Sequence, residues 1–324
     1  MANFKIISKN IQEITVNNPR KSKGKLNWIN ITNAGKDEIE YLRKKYKFGL
    51  NHLQASSSKI FAQRPTFTVS DDGSYSFLIL HFPIFQNGKI APAEIDIFKK
   101  KGALVTIHNN NLPALNDFFG LCKKDCESLL SYQYESSAIL LYELLRKIML
   151  DCYPLLDEES IQISEIEELI FSHGRKEAVA KILNLRRNVI NFRKIMQNHK
   201  NILKKQMERK SDTVPLEIYN KFYNELIEHS KNIWEILENQ KEMIEILNDT
   251  NESMMNDRLS YIIKTLTIFS VIVFPLTLFA AIFGMNTVNS MPFVDSPHGF
   301  WYIVSIMIFG SLGMLYFFEK KKWL

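Results

Sequence analysis

Asn286 closes the run Phe283-Gly284-Met285-Asn286, and Thr277 lies upstream of it within the same uncharged stretch. A side-chain amide carbonyl and a hydroxyl are oxygen donors of the kind a hard divalent cation accepts. Mg2+ gives up its waters reluctantly, so such oxygens would hydrogen-bond to a hydrated ion rather than strip it. Thr277 belongs to a stripe that continues the helical pattern upstream: Ile263, Leu266, Ser270, Phe274, Thr277 and Ala281, at steps of +3, +4, +4, +3 and +4. A repeat near 3.5 keeps one face turned toward a common axis. Around a symmetric axis these residues would form rings of oxygens able to select an ion by size. The same spacing also fits ordinary packing of two membrane helices.

No other set of residues offers comparable chemistry. The chain has no glycine-rich phosphate loop and no nucleophile elbow, and its seven histidines do not fall at ligand spacing. An enzyme is therefore not expected. Cys122, Cys126 and Cys152 are an odd number in helical-looking sequence, which fits a reducing compartment. Cys122 and Cys126 could share a helix face, but two thiols without a further ligand pair make a poor zinc site. His108, at the end of a strand candidate, reads as structural.

The elements that must position Thr277 and Asn286 follow from how charge is distributed. The chain is 46% hydrophobic and 23% charged, averages that suit a soluble protein, yet between Thr265 and Phe318 the only Asp, Glu, Lys or Arg is Asp295. Leu266 to Phe283 and Phe300 to Phe318 supply eighteen and nineteen uncharged residues. A helix needs about 20 residues to cross roughly 30 Å of hydrocarbon, so both are expected to span a bilayer. Lys320, Lys321 and Lys322 follow the second span, while the loop between the spans carries no Lys or Arg. The positive-inside rule places both termini in the cytoplasm and the loop outside. The N-terminus lacks the apolar core of a secretory signal, which agrees.

Residues 1–110 alternate short strand-like runs with turns: strands are expected over Lys25 to Thr32, Thr66 to Val69, Tyr75 to His81, Glu94 to Phe98 and Ala103 to His108, with a helix over Lys36 to Lys47. This is a cytoplasmic α/β domain. Residues 111–214 read as helical. There an acidic segment from Asp157 to Phe171 precedes a basic one from Arg175 to Lys210, a pattern that favours a charge-complementary helical hairpin over nucleic-acid binding. Residues 215–264 form a stalk helix, with Phe222, Leu226, Ile233, Leu237, Ile244, Leu247 and Met254 on one packing face. The stalk runs into a pore-lining span at 265–286, an outer loop at 287–299, a second span at 300–318 and a basic tail at 319–324. The fold class is thus an α+β cytoplasmic domain, a long stalk helix and two transmembrane helices.

Phe283-Gly284-Met285-Asn286 ahead of a short loop, a last span and a Lys-rich end resembles the CorA magnesium transporter family. Lys264-Thr265-Leu266-Thr267, Pro275-Leu276-Thr277 and Lys320-Lys321-Lys322-Trp323-Leu324 resemble further segments of that family, as do Trp28-Ile29-Asn30-Ile31-Thr32 and Gln63-Arg64-Pro65. The resemblance implies a homopentameric funnel in the cell membrane that takes up hydrated Mg2+ passively, with Co2+ and Ni2+ as further cargo. It places Gly284, Met285 and Asn286 in the selectivity filter, Thr277 in a polar ring, and Ile263, Leu266 and Phe274 at apolar constrictions that close by dewetting. Ser260 stands at the inner mouth where the family usually has Asn, and Asp295 is the one outer-loop acid left to concentrate cations. A regulatory Mg2+ is implied at the stalk segment Glu225-Leu226-Ile227-Glu228-His229, through Glu225 and Glu228, whereas Ser56-Ser57 replaces an acidic pair on the facing side. Zinc transport by a sister branch, against which Met285 argues, and a membrane-anchored scaffold without transport are the alternatives.

Overall fold

The computed structural model describes residues 2–17, 25–56, 64–125, 136–172, 175–209, 214–285, 292–293 and 296–323. Seven strands, β1 (Ala2–Ile6), β2 (Ile11–Asn17), β3 (Lys25–Thr32), β4 (Thr66–Val69), β5 (Tyr75–Gln86), β6 (Lys89–Lys100) and β7 (Ala103–His108), form one sheet. Their order is β1-β2-β3-β7-β6-β5-β4, with β3 and β7 parallel and every other neighbour antiparallel. The strands expected at Lys25, Thr66 and Ala103 appear with the expected bounds. β5 and β6 run further, because Pro83 lies directly opposite Pro92. Neither proline has an N–H to give, and at that point β4 and β7 have already ended, so no neighbour needs one. The Asn87-Gly88 turn, with φ of 52° and 74°, closes this hairpin.

Helices cover both faces. On one, α1 (Lys36–Tyr46) and α2 (Leu50–Ser56) bring Leu42 and Leu53 onto Ile29, Ile31, Phe77, Phe98 and Val105, all buried. On the other, buried Trp28 donates its indole N–H to Thr106 Oγ1 at 3.2 Å and packs edge-on against Phe119 of α3 (Pro113–Lys124). His108 is structural: Asn110 donates to its Nδ1 at 3.1 Å, its Nε2 reaches Asn30 Oδ1 at 3.1 Å, and burial depresses its pKa to about 4. Cys122 and Cys152 are buried, and Cys126 lies outside the described residues.

After α4 (Ser137–Leu150) come α5 (Tyr153–Phe171) and α6 (Arg175–Met196), which pack on each other. Their seam is apolar. Leu156, Ile163, Ile166 and Ile170 of α5 are buried, as are Ala178, Ile182, Leu185 and Val189 of α6. Among the described residues no ion pair joins the acids of α5 to the bases that follow. Apart from buried Glu159, the acids of α5 face water, where an ion pair contributes little. Arg193 turns instead to the stalk, pairing with Glu238 and lying 5.0 Å from the centre of the Trp234 ring. The basic segment also breaks into a second helix, α7 (His199–Glu208).

α8 (Leu216–Phe283) is one unbroken helix, about 100 Å long at about 1.5 Å per residue. Leu226, Ile233, Leu237, Ile244 and Leu247 of its expected packing face are buried. α9 (Gly299–Lys320) follows. The chain divides into two compact units, Met1–Asn248 and Asp249–Leu324. The α+β domain, the long helix and the pair of C-terminal apolar helices agree with the expected fold class.

Candidate functional site

α8 and α9 are each long and apolar enough to cross a membrane, and almost none of their most apolar windows is buried. Leu266 is 63% exposed, Phe274 71% and Phe309 73%. A core helix of a water-soluble protein would hide such side chains, so these surfaces need lipid or further helices. Among the described residues of this unit the buried large apolar ones are Ile268 and Phe318.

Buried Ile268 marks the covered face of α8. At about 100° per residue the stripe of Ile263, Leu266, Ser270, Phe274, Thr277 and Ala281 is centred on roughly the opposite side of the helix. Ser270 is half-buried, and Ser260 and the other stripe residues are exposed. Within the single chain the stripe is therefore largely uncovered. The Thr277 hydroxyl donates to the Val273 carbonyl at 2.9 Å. With its proton committed inside the helix, its oxygen is left as an acceptor. Water bound to a cation points its hydrogens outward, so acceptors are what a hydrated ion needs. Pro275 lies in the same turn and removes one helical hydrogen bond, to the Val271 carbonyl.

The helix stops at Phe283. Gly284 still donates to the Ala280 carbonyl at 2.9 Å, and Met285 to the Ile282 carbonyl at 3.3 Å with its side chain exposed. A Cβ on Gly284 would lie 3.1 Å from the Ala280 oxygen, so glycine permits the tight exit. Asn286 and Asp295 lie outside the described residues. Before α9 the chain turns with Phe293 at φ 70°, and Gly299 donates to the Ser296 carbonyl at 3.0 Å. A Cβ on Gly299 would overlap the Phe293 carbonyl oxygen, whereas one on Gly310 meets nothing. Gly299→Ala is expected to lower the melting temperature of the purified full-length protein by about 2–4 °C or more, and Gly310→Ala to leave it unchanged. Equal melting temperatures would show that the turn moves aside freely.

Glu225 and Glu228, in the stalk part of α8, differ in surroundings. Glu225 accepts from the Tyr142 hydroxyl at 2.7 Å and from Arg146 Nε at 2.9 Å, both on α4. Burial raises its pKa, but the two donors outweigh that and hold it below the usual carboxylate range. Burial and the same carboxylate push the Tyr142 phenol upward. Glu228 is exposed, and neighbouring His229 meets the Tyr153 hydroxyl at 3.1 Å. Among the described residues no three His, Cys, Asp or Glu side chains gather as a metal site. Ser56 donates to the His52 carbonyl at 3.2 Å, and Ser57 lies outside the described residues. Sequence reasoning missed Tyr142 and Arg146, because partners 83 and 79 residues away leave no local signal.

Several known proteins are similar to this chain. The cobalt/magnesium transport protein CorA of Methanocaldococcus jannaschii is 22% identical over 93% of this chain and 92% of its own length. That of Thermotoga maritima is 23% identical over 92% of this chain and 83% of its own length. The complete structure of the CorA magnesium transporter from Methanocaldococcus jannaschii superposes with a TM-score of 0.82 at 20% identity, covering 100% of this chain and 98% of that one. The family model described as CorA-like Mg2+ transporter protein matches residues 23–321. With that match running from just before β3 to just past α9, the chain belongs to the CorA-like Mg2+ transporter protein family, a family of ion transporters rather than enzymes.

Proposed function

We propose that the chain assembles as a homopentamer in the cell membrane and carries hydrated Mg2+ inward, with Co2+ and Ni2+ as further cargo. The observation that supports this most is the stripe on α8. It faces away from Ile268, holds a hydroxyl acceptor at Thr277 and leads to Gly284-Met285-Asn286. Five copies around an axis would give an oxygen filter at Gly284 and Asn286, a polar ring at Thr277 and apolar constrictions at Ile263, Leu266 and Phe274. Ser260 would line the inner mouth, and Asp295 would concentrate cations at the outer one. Both termini lie in the cytoplasm in this arrangement. The names of the two relatives, cobalt/magnesium transport proteins, agree with the cargo.

The membrane potential suffices to drive the ion. It provides about 2.3 kcal/mol per elementary charge per 100 mV, and so about 4.6 kcal/mol for a divalent cation. A regulatory Mg2+ at Glu225 and Glu228 would have to displace Arg146 from Glu225, while Glu228 offers an open carboxylate. The test is flux into liposomes holding the full-length protein and a Mg2+-sensitive dye. Mg2+ should enter when the interior is made negative, without nucleotide, and faster as the potential grows. Selective entry of Zn2+ would instead assign a zinc transporter. No divalent flux from folded, oligomeric protein would leave the two apolar helices as anchors.

A further inference from the structure

In sequence Lys264 belongs to a family-like segment, and Lys320-Lys321-Lys322 at the far end reads as a signal of membrane topology. In the structure they form one device. The Trp323 N–H donates to the Phe318 carbonyl at 2.9 Å, and the Lys322 N–H to the Glu319 carbonyl at 2.9 Å. Lys322 takes the left-handed conformation with φ 56°. These two bonds around a left-handed residue constitute a Schellman motif, and its usual apolar contact is present as the Trp323 ring over Phe318, 5.9 Å apart and 28° from parallel. Phe318 is buried. Glycine normally holds the left-handed position, so a lysine there carries a steric cost.

What the turn achieves is to aim a backbone oxygen. Lys264 Nζ on α8 donates to the Lys322 carbonyl at 3.1 Å. Lys264 precedes Ile268 by one helical turn and shares its face, away from the stripe. Its ammonium is thus committed to the end of α9 rather than offered to a passing ion, and it is half-buried while Ile263 beside it is exposed.

We propose that Lys264 is a positioning residue for the ion path: its bond to the Lys322 carbonyl ties the end of α9 to α8 beside Ile263 and Leu266, fixing where those two side chains stand. The proposal rests on the transport reading above. Lys264→Met removes the donor, Lys264→Arg keeps one, and Trp323→Pro removes the N–H and the ring that hold the carbonyl in place. Lys264→Met and Trp323→Pro should each cut maximal Mg2+ flux about threefold or more, with the half-saturating external Mg2+ unchanged, and the double variant should be no worse than the worse single one. Lys264→Arg should restore most of the flux. Wild-type flux in Lys264→Met, or a double variant whose loss is the product of the single losses, would overturn the proposal. A second readout stands apart from transport. In the purified full-length protein, Lys264→Met should speed hydrogen exchange at the Lys322 and Trp323 amides about tenfold. If wild-type protein carries no Mg2+ but this acceleration is seen, the transport reading fails and the tie stands. Unchanged exchange overturns the tie whatever the flux.

Discussion

Asn286→Ala should reduce Mg2+ flux in liposomes by about tenfold or more and abolish rescue of a strain deficient in magnesium uptake. The reason lies in what a hydrated ion presents to its surroundings. The six waters held by Mg2+ direct only hydrogens outward, so a filter that recognises them needs acceptors and gains nothing from donors. Asn286 follows Gly284 and Met285, whose N–H groups bond back into α8 at Ala280 and Ile282. Those donors are thereby withdrawn from the mouth. In the proposed pentamer the Asn286 carbonyl would then supply the acceptor ring. A hydrogen bond to a charged partner contributes about 1.5–3 kcal/mol, and about 1.4 kcal/mol is a factor of ten. Losing one such bond from each of several subunits leaves ample room for a tenfold effect. Growth of the deficient strain on Asn286→Ala as on wild type would remove the filter from the proposed function.

How much of this was readable beforehand depended on whether the signal was local. β3, β4 and β7 were legible because alternation and flanking turns lie within a few residues of each strand. The two apolar helices were legible because lipid tolerates no charge over some twenty residues, which leaves a long gap in an otherwise charged chain. The far ends of β5 and β6 were not legible, since a proline such as Pro83 or Pro92 argues for ending a strand, and only their cross-strand pairing explains why both are tolerated. Asn87-Gly88 between them was a hairpin signal available in the sequence and not used. The acidic and basic helices misled in another way. Opposite charges in neighbouring segments imply attraction, but burying Leu156, Ile163, Ile182 and Val189 decides which faces meet. For the site, the stripe and Asn286 came from spacing and motif. The hold of Tyr142 and Arg146 on Glu225 depends on how α4 lies along α8, and no pattern within either segment encodes it.

Replacing Glu159 by Leu should stabilise the protein, and the gain should depend on pH. Glu159 lies on the buried face of α5, 3% exposed, and neither carboxyl oxygen has a hydrogen-bond partner among the described residues. Nearby Gln240 gives its amide to the Leu156 carbonyl at 2.8 Å and the Ser160 hydroxyl at 2.9 Å instead. Burial without a compensating charge raises the pKa of Glu159 from 4.5 to about 8. Below pH 4.5 folded and unfolded chains both carry the proton, and the group has no pH-dependent effect. Above it the unfolded chain releases the proton while the folded chain keeps it up to about pH 8, so stability falls across that window. The slope is about 1.4 kcal/mol per pH unit, which accumulates to about 3 kcal/mol at pH 7. Leucine fills a similar volume and has no proton to release. Melting temperatures of the full-length protein should therefore rise by about 6–12 °C at pH 7 in Glu159→Leu, with a much smaller difference near pH 4.5. Glu159→Gln should remove the same pH dependence with a smaller gain, because its amide stays buried without a partner. A shift of equal size at both pH values would mean that Glu159 is not held neutral and that the gain comes from packing alone.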